Sequence, residues 1–133
     1  MRKGNFRVLL VDDDPDDREI FGAALREIDN TIRAVYAIDG DDALAKLSKM
    51  GLSIPDIIFL DIEMPGNDGI QLLSIIRNME DYRYVPIVIY SNSQRPEDIN
   101  RSKGMGASAY ITKHCRFALL CKELSQILSE YIS

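Results

Sequence analysis

The chain is 133 residues long and 46% hydrophobic, and its 16 Lys and Arg against 21 Asp and Glu leave a formal net charge of −5. That length fits one domain with a two- or three-layer core, and the acidic balance argues against a nucleic-acid backbone as partner, since such binding is driven by Lys and Arg neutralising phosphates. No apolar run approaches the ~20 residues that span a bilayer, and no signal-peptide-like apolar region follows Met1, so we expect a cytoplasmic protein that engages neither membrane nor nucleic acid.

Residues 6–11 (FRVLLV) are a β-branched and aliphatic run, hence a first strand, ending in Asp12-Asp13-Asp14-Pro15. Pro at the first helical position with Asp as N-cap starts a helix, whose stripe is Ile20, Phe21, Ala24, Leu25 and Ile28. Residues 31–37 are rich in β-formers and make a second strand; Asp39-Gly40 marks its turn. A short helix with Ala43, Leu44 and Leu47 runs to Met50, with Gly51 placed to cap it.

Residues 57–60, four apolar side chains bounded by turn residues, read as a strand covered on both faces that delivers Asp61 to the sheet edge. Met64-Pro65-Gly66-Asn67 then folds into a tight loop. Leu72, Leu73, Ile76 and Met79 form the next helical stripe, and residues 86–91 the fourth strand. Pro96-Glu97-Asp98 opens a fourth helix, with acids in its first turn as the helix dipole favours. Ile99 and Met105 are nearly all its apolar content, so it is expected to be the least anchored helix. Residues 107–112 form a fifth strand, with Lys113 directly after it. A last helix carries Phe117, Leu120, Cys121, Leu124, Ile127, Leu128 and Tyr131 at helical spacing. Cys115 and Cys121 stand six apart, which suits neither a disulfide within a helix nor a metal clip, so both are expected as reduced thiols.

Strands alternating with helices imply an α/β three-layer, doubly wound (βα)5 fold with a five-stranded parallel sheet. The pattern alone leaves the strand order open, but in either doubly wound order chemistry belongs at the carboxyl ends of the strands. Those ends carry Asp12, Asp13 and Asp14; Asp61 with Glu63 two residues on; Ser91 and Asn92; and Thr112 and Lys113. Carboxylates gathered on one edge repel unless neutralised. A hard divalent cation with oxygen ligands resolves the conflict, and a lysine and a hydroxyl beside it make a pocket for a phosphoryl group.

Four pieces in order, Val11-Asp12-Asp13-Asp14, Leu60-Asp61-x-x-Met64-Pro65-x-x-Asp68-Gly69, Ile89-Tyr90-Ser91-Asn92 and Gly106-Ala107-x-x-Tyr110-x-x-Lys113, carry a family resemblance. Over essentially its whole length the chain resembles the receiver domain of bacterial two-component response regulators. The resemblance implies a flavodoxin-like sheet of order 2-1-3-4-5 and a single receiver domain over residues 1–133, without an output domain. It further implies Asp61 as phosphoacceptor and Asp12 and Asp13 as the acidic pair holding Mg²⁺, with Asp61 and the backbone carbonyl of Glu63 as further ligands. Ser91 takes the place of the hydroxyl that swings toward the phosphoryl group, Lys113 that of the phosphate-pairing lysine, and Tyr110 that of the aromatic residue whose rotamer reports phosphorylation. Where the family usually has Pro after the lysine, often with a cis bond, this chain has His114; cis before a non-proline costs ~2.5–4 kcal/mol, which weighs toward trans. Lysine followed by a residue other than Pro also resembles the regulators paired with bacterial phytochromes.

On this reading the chain accepts a phosphoryl group from a phosphohistidine of a sensor histidine kinase or phosphotransfer protein and later loses it to water. It is a self-modifying signalling protein without turnover of a diffusible substrate. The alternatives are a pseudo-receiver that binds partners without phosphorylation and a haloacid dehalogenase-type phosphohydrolase. The output is expected on the face of the fourth helix, fifth strand and fifth helix, where Arg95, Arg101 and Lys103, with Arg116 and Lys122 nearby, suit an acidic downstream protein or a second copy of the same face.

Overall fold

Aliphatic runs and one-sided helices alternate along this chain, and in the computed structural model, which describes residues 6–49, 54–113 and 116–132, they pack as alternating strands and helices. Their order is β1 (Arg7–Val11), α1 (Pro15–Ile28), β2 (Arg33–Ala37), α2 (Gly40–Lys49), β3 (Ile57–Leu60), α3 (Gly69–Asn78), β4 (Ile87–Ser91), α4 (Pro96–Gly104), β5 (Ala109–Thr112) and α5 (Phe117–Tyr131). The five strands form one parallel sheet in the order β2-β1-β3-β4-β5, as the resemblance implied. Expectations on Gly51, on Cys115, on His114 and on the Lys113–His114 peptide lie outside the described residues.

Strand side chains alternate between two cores, the signature of a sheet covered on both faces. Val8 and Leu10 of β1, with Ile57 and Phe59 of β3, pack under Phe21, Ala24 and Leu25 of α1 and Leu120, Leu124 and Leu128 of α5. Leu9 and Val11, with Ile58 and Leu60, pack under Ala43 and Leu47 of α2 and Leu72, Leu73 and Ile76 of α3. All four side chains of β3 are fully buried, each contributing roughly 1.5–3 kcal/mol of transfer free energy. That burial makes β3 the rigid mount for the residue after it.

Two stripe residues depart from expectation. Ile20 and Phe117, expected in the core, are 44% and 43% exposed. Phe117 opens α5 and Ile20 lies in the first half of α1, and both line a cleft of about 500 Å³ with Asp16, Glu19 and Ala23. The fourth helix is as sparsely anchored as its composition implied: Ser102 is its only buried residue.

Two short elements were not foreseen. The loop after Asp61 contains a two-residue antiparallel ladder, Glu63–Met64 against Asn67–Asp68, turned through Gly66 at φ +73°, a conformation that favours glycine. After α3 a single 3₁₀ turn (Glu80–Tyr82) buries Tyr82, whose hydroxyl donates to the Leu47 carbonyl at 2.7 Å and ties this segment to α2. Arg77 at the end of α3 holds the following segment in place. Its Nη1 donates to the carbonyls of Tyr82, Arg83 and Val85 at 2.7–3.1 Å, and its Nε and Nη2 to that of Gly106 at 3.1 and 2.8 Å.

Candidate functional site

The parallel ladder continues one residue beyond three strands, and that step aims the site. The Asp12 amide donates to the Ala37 carbonyl at 3.0 Å, the Asp61 amide to that of Val11 at 3.0 Å, and the Lys113 amide to that of Ser91 at 2.8 Å. Asp12, Asp61 and Lys113 are therefore held as rigidly as strand residues. Asp12 is completely buried and Asp61 nearly so. Each fixes its carboxylate in the same way: Asp12 Oδ1 accepts the Asp14 amide at 3.0 Å, and Asp61 Oδ1 accepts the Glu63 amide at 2.8 Å.

The remaining oxygen of each faces Lys113. Nζ lies 2.8 Å from Asp12 Oδ2 and 2.9 Å from Asp61 Oδ2, with the lysine side chain only 7% exposed. A third carboxylate, Asp17 of α1, meets the same Nζ at 2.8 Å. Burial alone would lower the lysine pKa, but Asp12, Asp17 and Asp61 together hold it above the ordinary lysine value. Burial pushes the Asp12 carboxyl above its ordinary value, and Lys113 pulls it partly back. Nζ also stands 5.4 Å from the centroid of the Tyr90 ring, whose phenol is pushed up to about 12 chiefly by burial.

A carboxylate oxygen from each of Asp12, Asp13 and Asp61 lies within 4.8 Å of the others, so the cluster can chelate a divalent metal. Asp13 is exposed, opening the cluster to solvent on one side. Asp12 Oδ2 is solvent-inaccessible, with Lys113 Nζ at 2.8 Å; a hard cation with oxygen ligands fits the all-oxygen donor set of Asp12, Asp13 and Asp61. Asp14 belongs to the helix instead. Its Oδ1 accepts the Asp16 amide at 2.9 Å and caps α1.

Ser91 is fully buried at the end of β4. Its Oγ donates to Glu63 Oε1 at 3.0 Å and accepts the Ser93 amide at 3.2 Å. The Tyr110 hydroxyl donates to the Ser93 carbonyl at 2.8 Å, holding the β4–α4 loop from the edge strand. The Ser93 hydroxyl in turn donates to Asp98 in the first turn of α4. Behind the site, Gly69 is required for packing: a Cβ there would lie 2.3 Å from Ile62 Cα and 2.8 Å from the Asp61 carbonyl oxygen.

The structure thus gathers Asp12, Asp13, Asp61 and Lys113 at one edge and sets Glu63, Ser91 and Tyr110 around them. Sequence reasoning missed Asp17, the pairing of the Glu63 carboxylate with Ser91, and Ser93. Asp16 and Asp17 are equivalent acids of a helix start, and only the rotation of α1 selects Asp17. Glu63 and Ser93 each stand two residues beyond a strand-end site residue, the one signal that could have marked them.

A doubly wound parallel sheet with a lysine-bridged aspartate cluster at its carboxyl edge is the architecture of a phosphoacceptor module of two-component signalling. The response regulator receiver domain model matches residues 8–125, and the chain belongs to that family. Such domains carry out their own phosphorylation and dephosphorylation and do not act on a diffusible substrate. The chain is 34% identical over 107 residues to a gliding motility regulatory protein of Myxococcus xanthus, covering 80% of this chain but 13% of that protein. It is 32% identical over 107 residues to protein PilG of Pseudomonas aeruginosa, covering 80% of this chain and 76% of PilG. Among solved structures, that of the phosphorylated cyanobacterial phytochrome response regulator RcpA superposes with a TM-score of 0.87 at 28% identity, covering 98% of this chain and 96% of the other. No helix among the described residues is long and apolar enough to cross a membrane.

Proposed function

We propose that Asp61 is the phosphoacceptor, taking a phosphoryl group from a phosphohistidine on a sensor histidine kinase or phosphotransfer protein. The observation that carries this reading is the convergence of Asp12, Asp13, Asp61 and Lys113, from the ends of three strands, around one carboxylate fixed by the Glu63 amide. The described state of the RcpA relative, which is phosphorylated, supports it.

An Asp61 oxygen attacks phosphorus as the P–N bond to the imidazole breaks, and the imidazole leaves with the electron pair. Positioning and charge neutralisation supply most of the catalysis in such transfers. Asp12, Asp13 and Asp61, with the Glu63 backbone carbonyl, would hold Mg²⁺, which supplies positive charge against the phosphoryl oxygens. Lys113, already within ion-pair distance of Asp61, pairs with a phosphoryl oxygen once it arrives. The Ser91 hydroxyl donates to another, and Tyr110 follows the movement of the Ser91–Ser93 loop to which it is hydrogen-bonded.

The signal leaves through α4, β5 and α5 toward an acidic protein partner or a second copy of this face. Arg95 and Arg101 there are paired with Asp98 and Asp68 at 2.9 and 3.4 Å, so Lys103, Arg116 and Lys122, all exposed, supply most of the face's positive charge. The site of action is the cytoplasm, where phosphohistidine donors are made.

Incubation with acetyl phosphate and Mg²⁺ followed by intact-mass analysis tests the reading. One phosphoryl group is expected, absent from Asp61→Asn and abolished by EDTA. Uptake that persists on another carboxylate in Asp61→Asn would refute it.

A further inference from the structure

The side chain of Glu63 has no part in the chemistry above, which uses only its backbone. Yet its carboxylate accepts the only proton that the buried Ser91 hydroxyl can donate, at 3.0 Å. The same residue donates its amide to Asp61 Oδ1 at 2.8 Å, and its ladder pairing with Asp68 fixes its place in the loop. One residue thus bridges Asp61 and Ser91, through backbone on one side and side chain on the other.

We infer that Glu63 is a positioning residue, an off-state latch that holds Ser91 in its unphosphorylated arrangement. This inference rests on Asp61 being phosphorylated and on Ser91 donating to the phosphoryl group. A hydroxyl has one proton, so Ser91 must release Glu63 before it can serve a phosphoryl oxygen on Asp61. Glu63 is exposed, so its carboxylate is also open to water; both acceptors are anionic, and the exchange replaces one charge-assisted hydrogen bond with another. Once released, the Glu63 carboxylate stands beside a newly added dianion and repels it, which opposes phosphorylation a second time.

The movement has a reporter. The Ser93 amide donates to the same Ser91 Oγ at 3.2 Å, and the Ser93 carbonyl receives Tyr110. A change in the Ser91 rotamer is therefore felt at Ser93 before it reaches α4.

The test uses Glu63→Gln, which keeps an acceptor oxygen and removes the charge, and Glu63→Ala, which removes both. Each is made alone and combined with Ser91→Ala, and all leave the backbone at position 63 in place. Two quantities are read: the initial rate of phosphoryl uptake from acetyl phosphate with Mg²⁺, and the Ser93 amide chemical shift in the unphosphorylated protein. Loss of a hydrogen bond to a charged group predicts uptake faster by about tenfold in Glu63→Ala, with Glu63→Gln between it and the natural protein. The Ser93 amide should move in Glu63→Ala and stay nearly in place in Glu63→Gln. In the Ser91→Ala background the difference between the two Glu63 variants should vanish. Equal rates for Glu63→Gln and Glu63→Ala, a difference that survives Ser91→Ala, or a Ser93 amide unmoved by Glu63→Ala would overturn the latch while leaving the phosphorylation of Asp61 standing. No uptake by the natural protein would overturn that underlying reading, and the latch with it.

Discussion

Replacing Lys113 by Met keeps most of the side-chain volume and removes the one charge that balances the buried cluster. Its ammonium serves Asp12 and Asp61, both inaccessible, and the half-buried Asp17. Removing one partner of a buried ion pair costs ~3–5 kcal/mol, because the other charge is left uncompensated. An unfolding entropy of ~2.1 cal/mol/K per residue over 133 residues converts that into a fall in Tm of about 11–18 °C. The loss should depend on pH. Burial raises the Asp12 carboxyl in the folded state, so the folded chain binds a proton more readily than the unfolded one. The penalty is therefore full at neutral pH and shrinks as pH falls through the raised folded value toward the unfolded ~3.9. In the natural protein the raised Lys113 pKa works at the other extreme, its contribution being complete below the unfolded ~10.4 and lost as pH rises through the folded value. Thermal melts by circular dichroism, in EDTA at neutral pH and again near pH 5, measure both effects. A fall in Tm of less than about 4 °C at neutral pH would show that solvent, and not Lys113, compensates these carboxylates.

Three other outcomes follow from single contacts. Mg²⁺ at a hundred times its Kd should stabilise the fold by ~2.7 kcal/mol through linkage, and Asp13→Asn should weaken metal binding while barely moving the metal-free Tm, because Asp13 is exposed; thermal melts across a Mg²⁺ titration check both. Arg77→Gln should cost ~1–3 kcal/mol in urea unfolding, since four carbonyls share its guanidinium, and should raise hydrogen exchange in the segments around Val85 and Gly106. The hydrogen bond from Ser93 holds Asp98 below its ordinary value, so its contribution is present above the unfolded ~3.9 and lost as pH falls through the folded value. Amide exchange at the first turn of α4 should accelerate there before exchange in β3 does.

What could be read without coordinates is what local chemistry decides. The run from Ile57 to Leu60 admits one reading because four consecutive buried side chains need cover on both faces, and that places Asp61 at a strand end. The Asp14-Pro15 helix start is equally local, and its cap forms as expected. Strand order is not local: neither the alternation of β1 nor the length of its connections distinguishes one doubly wound arrangement from another, and only the family motifs supplied it. The fate of Ile20 and Phe117 depended on how α1 and α5 meet, leaving a cleft between them that a helical stripe does not encode. Lys113 was legible as a site residue together with Asp12 and Asp61, because all three stand at strand ends, but Asp17 was not, since it meets Lys113 from a helix 96 residues away. Arg77 escaped notice for the same reason: its partners are backbone carbonyls, which every residue carries.

The arrangement also explains why a change at Asp61 should be felt at α4 more than at α1. Helix α1 is fastened by Phe21, Ala24 and Leu25 in one core, and α3 by Ile70, Leu72, Leu73 and Ile76 in the other. Against them α4 buries only Ser102, and its start is set by polar contacts. Ser93 donates to Asp98, Arg95 pairs with Asp98 at 2.9 Å, and Tyr110 donates to the Ser93 carbonyl. Polar contacts at a partly wet surface are each worth about 1 kcal/mol, against several for a buried apolar stripe. Ser91, two residues before Ser93, shares a hydrogen bond with the Ser93 amide and stands one side chain from Asp61 through Glu63. A rearrangement of Ser91 therefore disturbs the contacts that hold α4, whereas α1 could move only by opening a core. Arg77 fixes the far end of that path, gripping the Gly106 carbonyl just past the helix, so the freedom of α4 is concentrated at its N-terminal turn, on the side of Ser93.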